Sequence, residues 1–136
     1  IPLGSAAVRR EGADVTIVAA LLMMHRSLQA AELLADEGIS VEVIDPRSLV
    51  PFDWATVKAS VAKTGRLVVV EESPKRSGVG AEIAATAAEE LMESLIAPVK
   101  RVAAPNTPAP FAPAMEEFYV PDAARIATAA REMCAY

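Results

Sequence analysis

Four short runs of mostly apolar, often β-branched residues, separated by segments of helical period, constrain the fold of this chain more than any other feature. They are Val15-Thr16-Ile17-Val18-Ala19, Val41-Glu42-Val43-Ile44-Asp45, Leu67-Val68-Val69-Val70 and Val99 to Ala103. Strands that are apolar along their whole length, rather than at every second residue, belong to a parallel sheet covered on both faces. Strand alternating with helix gives an α/β layered fold. A further short run, Ala6 to Arg10, reads as an edge strand.

The intervening segments carry helix signals. From Met23 to Glu37, residues Met24, Leu28, Ala31 and Leu34 form one apolar stripe, and Gly38 stands where a left-handed C-terminal cap is wanted. Two prolines between Pro46 and Phe52 exclude a helix interior. Asp53 then suits an N-cap, with Trp54, Val57 and Val61 on the buried side and Gly65 at the end. Glu71 to Ser77 reads as a polar loop. A long Ala-rich helix over residues 80–97 follows, with Ile83, Ala87, Leu91 and Leu95 inward, until Pro98 stops it. Six prolines from Pro98 to Pro121 make the next stretch an extended arm. Pro121 and Asp122 open a last helix with Ile126, Ala130 and Met133 on its apolar face. The chain is expected to form a single domain over residues 1–136.

Composition excludes several functions. A net charge of -5 and a pI of about 4.9 argue against nucleic-acid binding. No apolar run reaches the roughly 18 residues of a membrane span. No apolar run follows a basic cluster at the start, so no secretory leader is expected, and the missing initiator Met suggests a fragment or processed chain. The single cysteine, Cys134, excludes an internal disulfide and fits a reducing compartment.

In a doubly wound sheet, ligands bind at the carboxyl ends of the strands where their order reverses. Here that crevice lies between the loops after Ala19 and after Val70. The second loop holds Glu71, Glu72, Lys75 and Arg76 before Gly78-Val79-Gly80. Two glycines at a helix start suit either a phosphate cradle or a tight turn that lets the helix approach the sheet. The tight turn is favoured, because the dinucleotide fingerprint is incomplete and Glu82 puts negative charge where a phosphate would sit. Glu71 and Glu72 point to opposite faces as strand neighbours and read as a solvated or chain-contacting pair. His25 lacks a nucleophile pattern. Ser5, Ser73 and Ser77 lack a nucleophile elbow. Cys134 reads as a helix-face thiol, and Met23 and Met24 as packing residues. No catalytic, cofactor or metal set emerges, as expected of one part of a larger assembly.

The order of motifs resembles the transketolase C-terminal domain in beta subunits of thiamine-diphosphate-dependent 2-oxoacid dehydrogenases. Ile1 to Ala6 and Arg10 to Val18 resemble the entry to that domain. Residues 38–53, Gly-Ile-Ser-Val-Glu-Val-Ile-Asp-Pro-Arg-Ser-Leu-Val-Pro-Phe-Asp, are similar to its most specific signature. Thr64 to Glu72, Gly78 to Ile83, Ala97 to Val102, Pro110 to Pro113 and Val120 to Asp122 follow in the same order.

The resemblance implies a three-layer α/β/α sandwich around a five-stranded, mostly parallel sheet whose first strand is antiparallel. It implies structural or subunit-interface roles for Arg47, Asp53, Glu72, Gly78, Gly80 and Glu82. This part would bind no cofactor, with thiamine diphosphate and Mg held elsewhere in the intact enzyme. Its partners would be an alpha subunit, a second beta subunit and a dihydrolipoyl acyltransferase core, in the cytoplasm or, in a eukaryote, the mitochondrial matrix. Two departures stand out: the apolar run Ala20 to Met24, where the family carries a small turn, and Ile96, where it often carries Asp, leaving Glu90 or Glu93 for a basic partner. Two other readings stay open: the equivalent domain of transketolase or deoxyxylulose-phosphate synthase, and a free-standing nucleotide-binding or interaction module. The identity of the 2-oxoacid is not encoded in these residues.

Overall fold

The computed structural model describes residues 2–136. The chain runs β1 (Ala7–Arg10), β2 (Val15–Ala19), α1 (Leu21–Ala35), β3 (Val41–Asp45), α2 (Trp54–Thr64), β4 (Leu67–Pro74), α3 (Val79–Glu90), β5 (Lys100–Ala104), α4 (Pro113–Tyr119) and α5 (Ala123–Cys134). The strand order is β1-β3-β2-β4-β5. β1 lies antiparallel to β3, with Ala7 opposite Asp45. The other pairings are parallel, with Val15 opposite Val41, Thr16 opposite Leu67 and Val68 opposite Lys100. The expected five-stranded sheet with an antiparallel first strand is present.

Helices cover both faces, which explains the near-continuous apolar strands. On one face Val15, Ile17, Val41, Val43, Val68 and Val70 meet α1 and α5. On the other, Val18, Ile44, Leu67 and Val69 meet α2 and α3 through Val57, Val61, Ile83 and Ala87. Each fully buried Val, Ile or Leu contributes about 1.5–3 kcal/mol, so the two apolar layers together dominate stability. Polar groups on the α2 face are paired internally. Thr16 Oγ1 meets Ser60 Oγ at 2.6 Å and Thr64 Oγ1 at 2.7 Å. Buried Glu42 takes hydrogen bonds from Lys63 and from the Gly12 amide. Burial raises the Glu42 pKa, but these donors outweigh it and hold the carboxyl below its ordinary value.

The larger differences from the sequence reading lie in β4, α1, α3 and the proline-rich arm. β4 runs on to Pro74, because its outer end pairs with Ala104 across a bulge instead of opening into a loop at Glu71. α3 stops at Glu90 rather than reaching residue 97. Leu91 leaves helical geometry, and the Ile96 amide is taken by the Gly65 carbonyl at the end of α2. α1 begins two residues early, at Leu21. The proline-rich arm contains α4, with Pro113 in its first turn, where a missing amide costs nothing. The Tyr119 hydroxyl donates to the Thr107 carbonyl at 3.0 Å and folds the arm onto itself. At the end of α1, Gly38 at φ 80 lets its amide reach the Ala35 carbonyl and the Ile39 amide reach Leu34.

Asp53 joins the edge strand to this frame. Its Oδ1 accepts the Thr56 amide at 3.1 Å, capping α2, while Oδ2 accepts the Ala6 amide at 2.9 Å and the Thr56 hydroxyl at 2.8 Å. The Ala6 amide first, then the Thr56 amide and hydroxyl, hold the carboxyl below its ordinary value. A depressed folded-state pKa gives stability that is present above the unfolded value and lost as pH falls through the folded one. Asp53→Ala is therefore expected to cost about 1–2 kcal/mol at neutral pH in denaturant unfolding, with the gap to wild type narrowing below about pH 4. A gap that stays constant down to pH 2 would contradict this assignment.

Candidate functional site: the carboxyl edge between β2 and β4

β2 and β4 are neighbours in the sheet, yet the helices that follow them leave on opposite faces, α1 on one and α3 on the other. That divergence opens a crevice at their carboxyl ends, where the sequence placed one. Its volume is about 240 Å³, and its walls include Ala19, Leu21, Leu49, Val69, Val79 and Ile83. Glu71, Glu72 and Ser73 supply its polar groups.

The decisive group is Glu71. The strand alternation turns it toward α3, and its side chain is buried at 6% exposure. Its Oε2 accepts the Gly80 amide at 3.2 Å and the Ser73 hydroxyl at 2.7 Å. Its Oε1 has no partner among the described residues. A Cβ on Gly78 would lie 2.3 Å from Oε2, and one on Gly80 would lie 2.6 Å from Oε1. Both distances are shorter than any real contact, so the two glycines exist to admit a carboxylate. The N-terminus of α3 is an anion site, as helix starts generally are, and the anion it holds is the chain's own Glu71.

This corrects one sequence expectation and extends another. Glu71 and Glu72 are not a solvated pair: Glu71 is buried, and only Glu72 is exposed. Glu82 does lie on the first turn of α3, exposed, and Glu71 adds a second, buried carboxylate at the same helix start. The tight-turn reading of Gly78 and Gly80 describes their close approach, but the surface approached is a carboxylate. The available signal was Glu71 directly after the apolar run Leu67 to Val70, nine residues before Gly80.

The remaining singled-out residues are scattered. Arg47 is exposed, at φ 59, and its amide bonds Asp45 Oδ1 at 3.0 Å. Asp53 sits at the start of α2, away from the crevice lining. His25 is exposed on α1. Ser77 is exposed at φ 61, and Ser73 is engaged by Glu71. Burial pushes the Cys134 thiol up, against the Coulombic pull of Arg66, so its thiolate is disfavoured. Ile96 is exposed, and its side chain lies over Gly65.

Comparison with known proteins gives consistent matches. The family model for the transketolase C-terminal domain matches residues 4–126. The acetoin:2,6-dichlorophenolindophenol oxidoreductase subunit beta of Cupriavidus necator is 48% identical over 132 residues, covering 97% of this chain and 39% of that protein. The mitochondrial pyruvate dehydrogenase E1 component subunit beta-2 of Oryza sativa subsp. japonica is 48% identical over 134 residues, covering 98% of this chain and 36% of that protein. The chain thus spans roughly two fifths of the length of these curated relatives. Among solved structures, a split-gene transketolase described as an inactive beta4 tetramer superposes with a TM-score of 0.85 at 32% identity, covering 99% of this chain and 43% of that one.

The glycine–carboxylate contact is testable by a double-mutant cycle. Gly80→Ala is expected to destabilise the protein by about 1–3 kcal/mol through overpacking. In a Glu71→Ala background the same substitution should cost less, since the clashing carboxylate is gone. Additive losses in thermal unfolding would contradict the contact.

Proposed function

The chain belongs to the family of transketolase C-terminal domains, and from that premise we propose that it is the assembly domain of a 2-oxoacid dehydrogenase beta subunit. In this reading the intact enzyme oxidatively decarboxylates a 2-oxoacid and passes the acyl group to a lipoyl arm. The domain contacts an alpha subunit and a second beta subunit and helps dock a dihydrolipoyl acyltransferase core. It performs no catalysis alone. The setting is the cytoplasm, or the mitochondrial matrix in a eukaryote.

The observation that carries the reading is the carboxylate at the α3 start. In a doubly wound sheet this is the place for a ligand phosphate. A diphosphate does not fit here: Glu71 already takes the Gly80 amide and would repel the incoming charge. In this reading thiamine diphosphate and Mg are held by other parts of the intact enzyme, and the role of this domain is contact. Its exposed apolar residues support contact surfaces. Leu21, Leu49 and Val50 lie at the carboxyl edge, and Phe111, Met115 and Phe118 on the arm and α4. Arg47, Glu72 and Glu82 are exposed as interface residues must be before assembly.

The test is reconstitution. Deleting residues 4–126 from the complete protein is expected to abolish co-purification of the alpha subunit and all 2-oxoacid-dependent dye reduction. The same segment produced alone should show no such activity. Turnover by the segment alone, or full activity of the deleted protein, would overturn the assignment.

A further inference from the structure

We propose that the crevice between β2 and β4 is a socket for one arginine side chain of a partner subunit, with Glu71 as its acceptor. The inference rests on the assembly role above and adds the chemistry of the contact. Size comes first. At about 240 Å³ the crevice lies below the 300–1,000 Å³ of sites that enclose a cofactor or drug-sized ligand. It suits a single long side chain.

Charge comes second. The lining contains Glu71 and Glu72 and no lysine, arginine or histidine. Glu71 Oε2 is engaged by Gly80 and Ser73, but Oε1 is buried without a partner among the described residues. A buried carboxylate oxygen left unpaired is costly, and a charged donor recovers that cost. Oε1 lies against Gly78 and Gly80 at the helix start, and the soft terminal torsion of a glutamate swings both oxygens together, so an entering donor meets the carboxylate as one unit. An anionic ligand is excluded by the same group. The walls are aliphatic, as the methylene stem of an arginine requires, and the weakly hydrated guanidinium is the cation best suited to such a place.

Form comes third. Leu21 at 81% exposure and Leu49 at 49% stand on the lips of the crevice, with Val50 beside them at 90%. A pocket for one anchoring side chain inside an apolar rim is the anatomy of an interface hot spot. The segments that follow three of the strands each hold a residue of positive φ. Leu21, Arg47 and Ser77 all have φ near 60° (53, 59 and 61°), and they follow β2, β3 and β4 respectively. Strain of this kind gathers at binding sites.

The probe is n-butylguanidinium, titrated into the complete protein while methyl resonances of Leu21, Leu49, Val69, Val79 and Ile83 are followed by NMR. Saturable shifts in these methyls are expected, with none from inorganic phosphate. Glu71→Gln, checked for native folding by its remaining spectrum, is expected to bind the probe about tenfold or more weakly. Leu49→Asp, on the rim, should in addition weaken retention of the partner subunit. Absence of saturable shifts, or equal probe affinity in Glu71→Gln, overturns the socket. Unchanged subunit retention in Leu49→Asp overturns the partner as its occupant. These readouts stand apart from the reconstitution test, because the probe binds or fails to bind whatever reaction the intact enzyme performs.

Discussion

A single buried carboxylate organises the functional edge of this domain. Glu71 ends the buried part of β4 and reaches across to the first turn of α3, where its Oε2 takes the Gly80 amide. The helix dipole and the unpaired amides of a helix start stabilise an anion there by about 0.3–2 kcal/mol. Gly78 and Gly80 lack side chains because the carboxylate needs their space. α3 is consequently drawn tight against the sheet, and Ile83 and Ala87 are brought into the same apolar layer as Val69. The crevice beyond it is small and apolar.

Internal pairing also governs the buried polar groups on the α2 face. Glu42, Thr16, Ser60 and Thr64 are all buried on the α2 face, and each has an internal partner. Arg66 ties three carbonyls together, from Asp14, Thr64 and Met133. These contacts fix how the two helical layers sit on the sheet. Glu71 differs in having one oxygen satisfied from within and the other facing no donor among the described residues. Ser27 Oγ is likewise buried without a partner among the described residues, but only Glu71 lines the crevice, and that makes it the place to look for a partner.

Much of this was legible in the chain. The apolar runs marked β2, β3, β4 and β5, and the burial of their apolar residues follows from helices on both faces. Asp53 and Gly65 bound α2 as their types require, because caps depend on local backbone chemistry. The crevice fell where strand order predicts. What escaped was non-local. α3 ends at Glu90, and beyond it the Gly65 carbonyl takes the Ile96 amide, a pairing that no periodicity encodes. The last turn of the proline-rich arm is helical because Pro113 falls at the one position where proline costs nothing. Glu71 was misplaced because alternation gives the side a residue faces and not what waits there. Its polarity argued for solvent, whereas the amides of a helix start supplied the compensation.

The central claim is that Glu71 fills the anion site at the start of α3 and thereby removes it from phosphate chemistry. The most direct measurement is the Gly80 amide resonance of the wild-type protein during titration with inorganic pyrophosphate. The account expects that resonance to stay in place, because the amide is already committed to Glu71. A saturable shift of the Gly80 amide with pyrophosphate would contradict it.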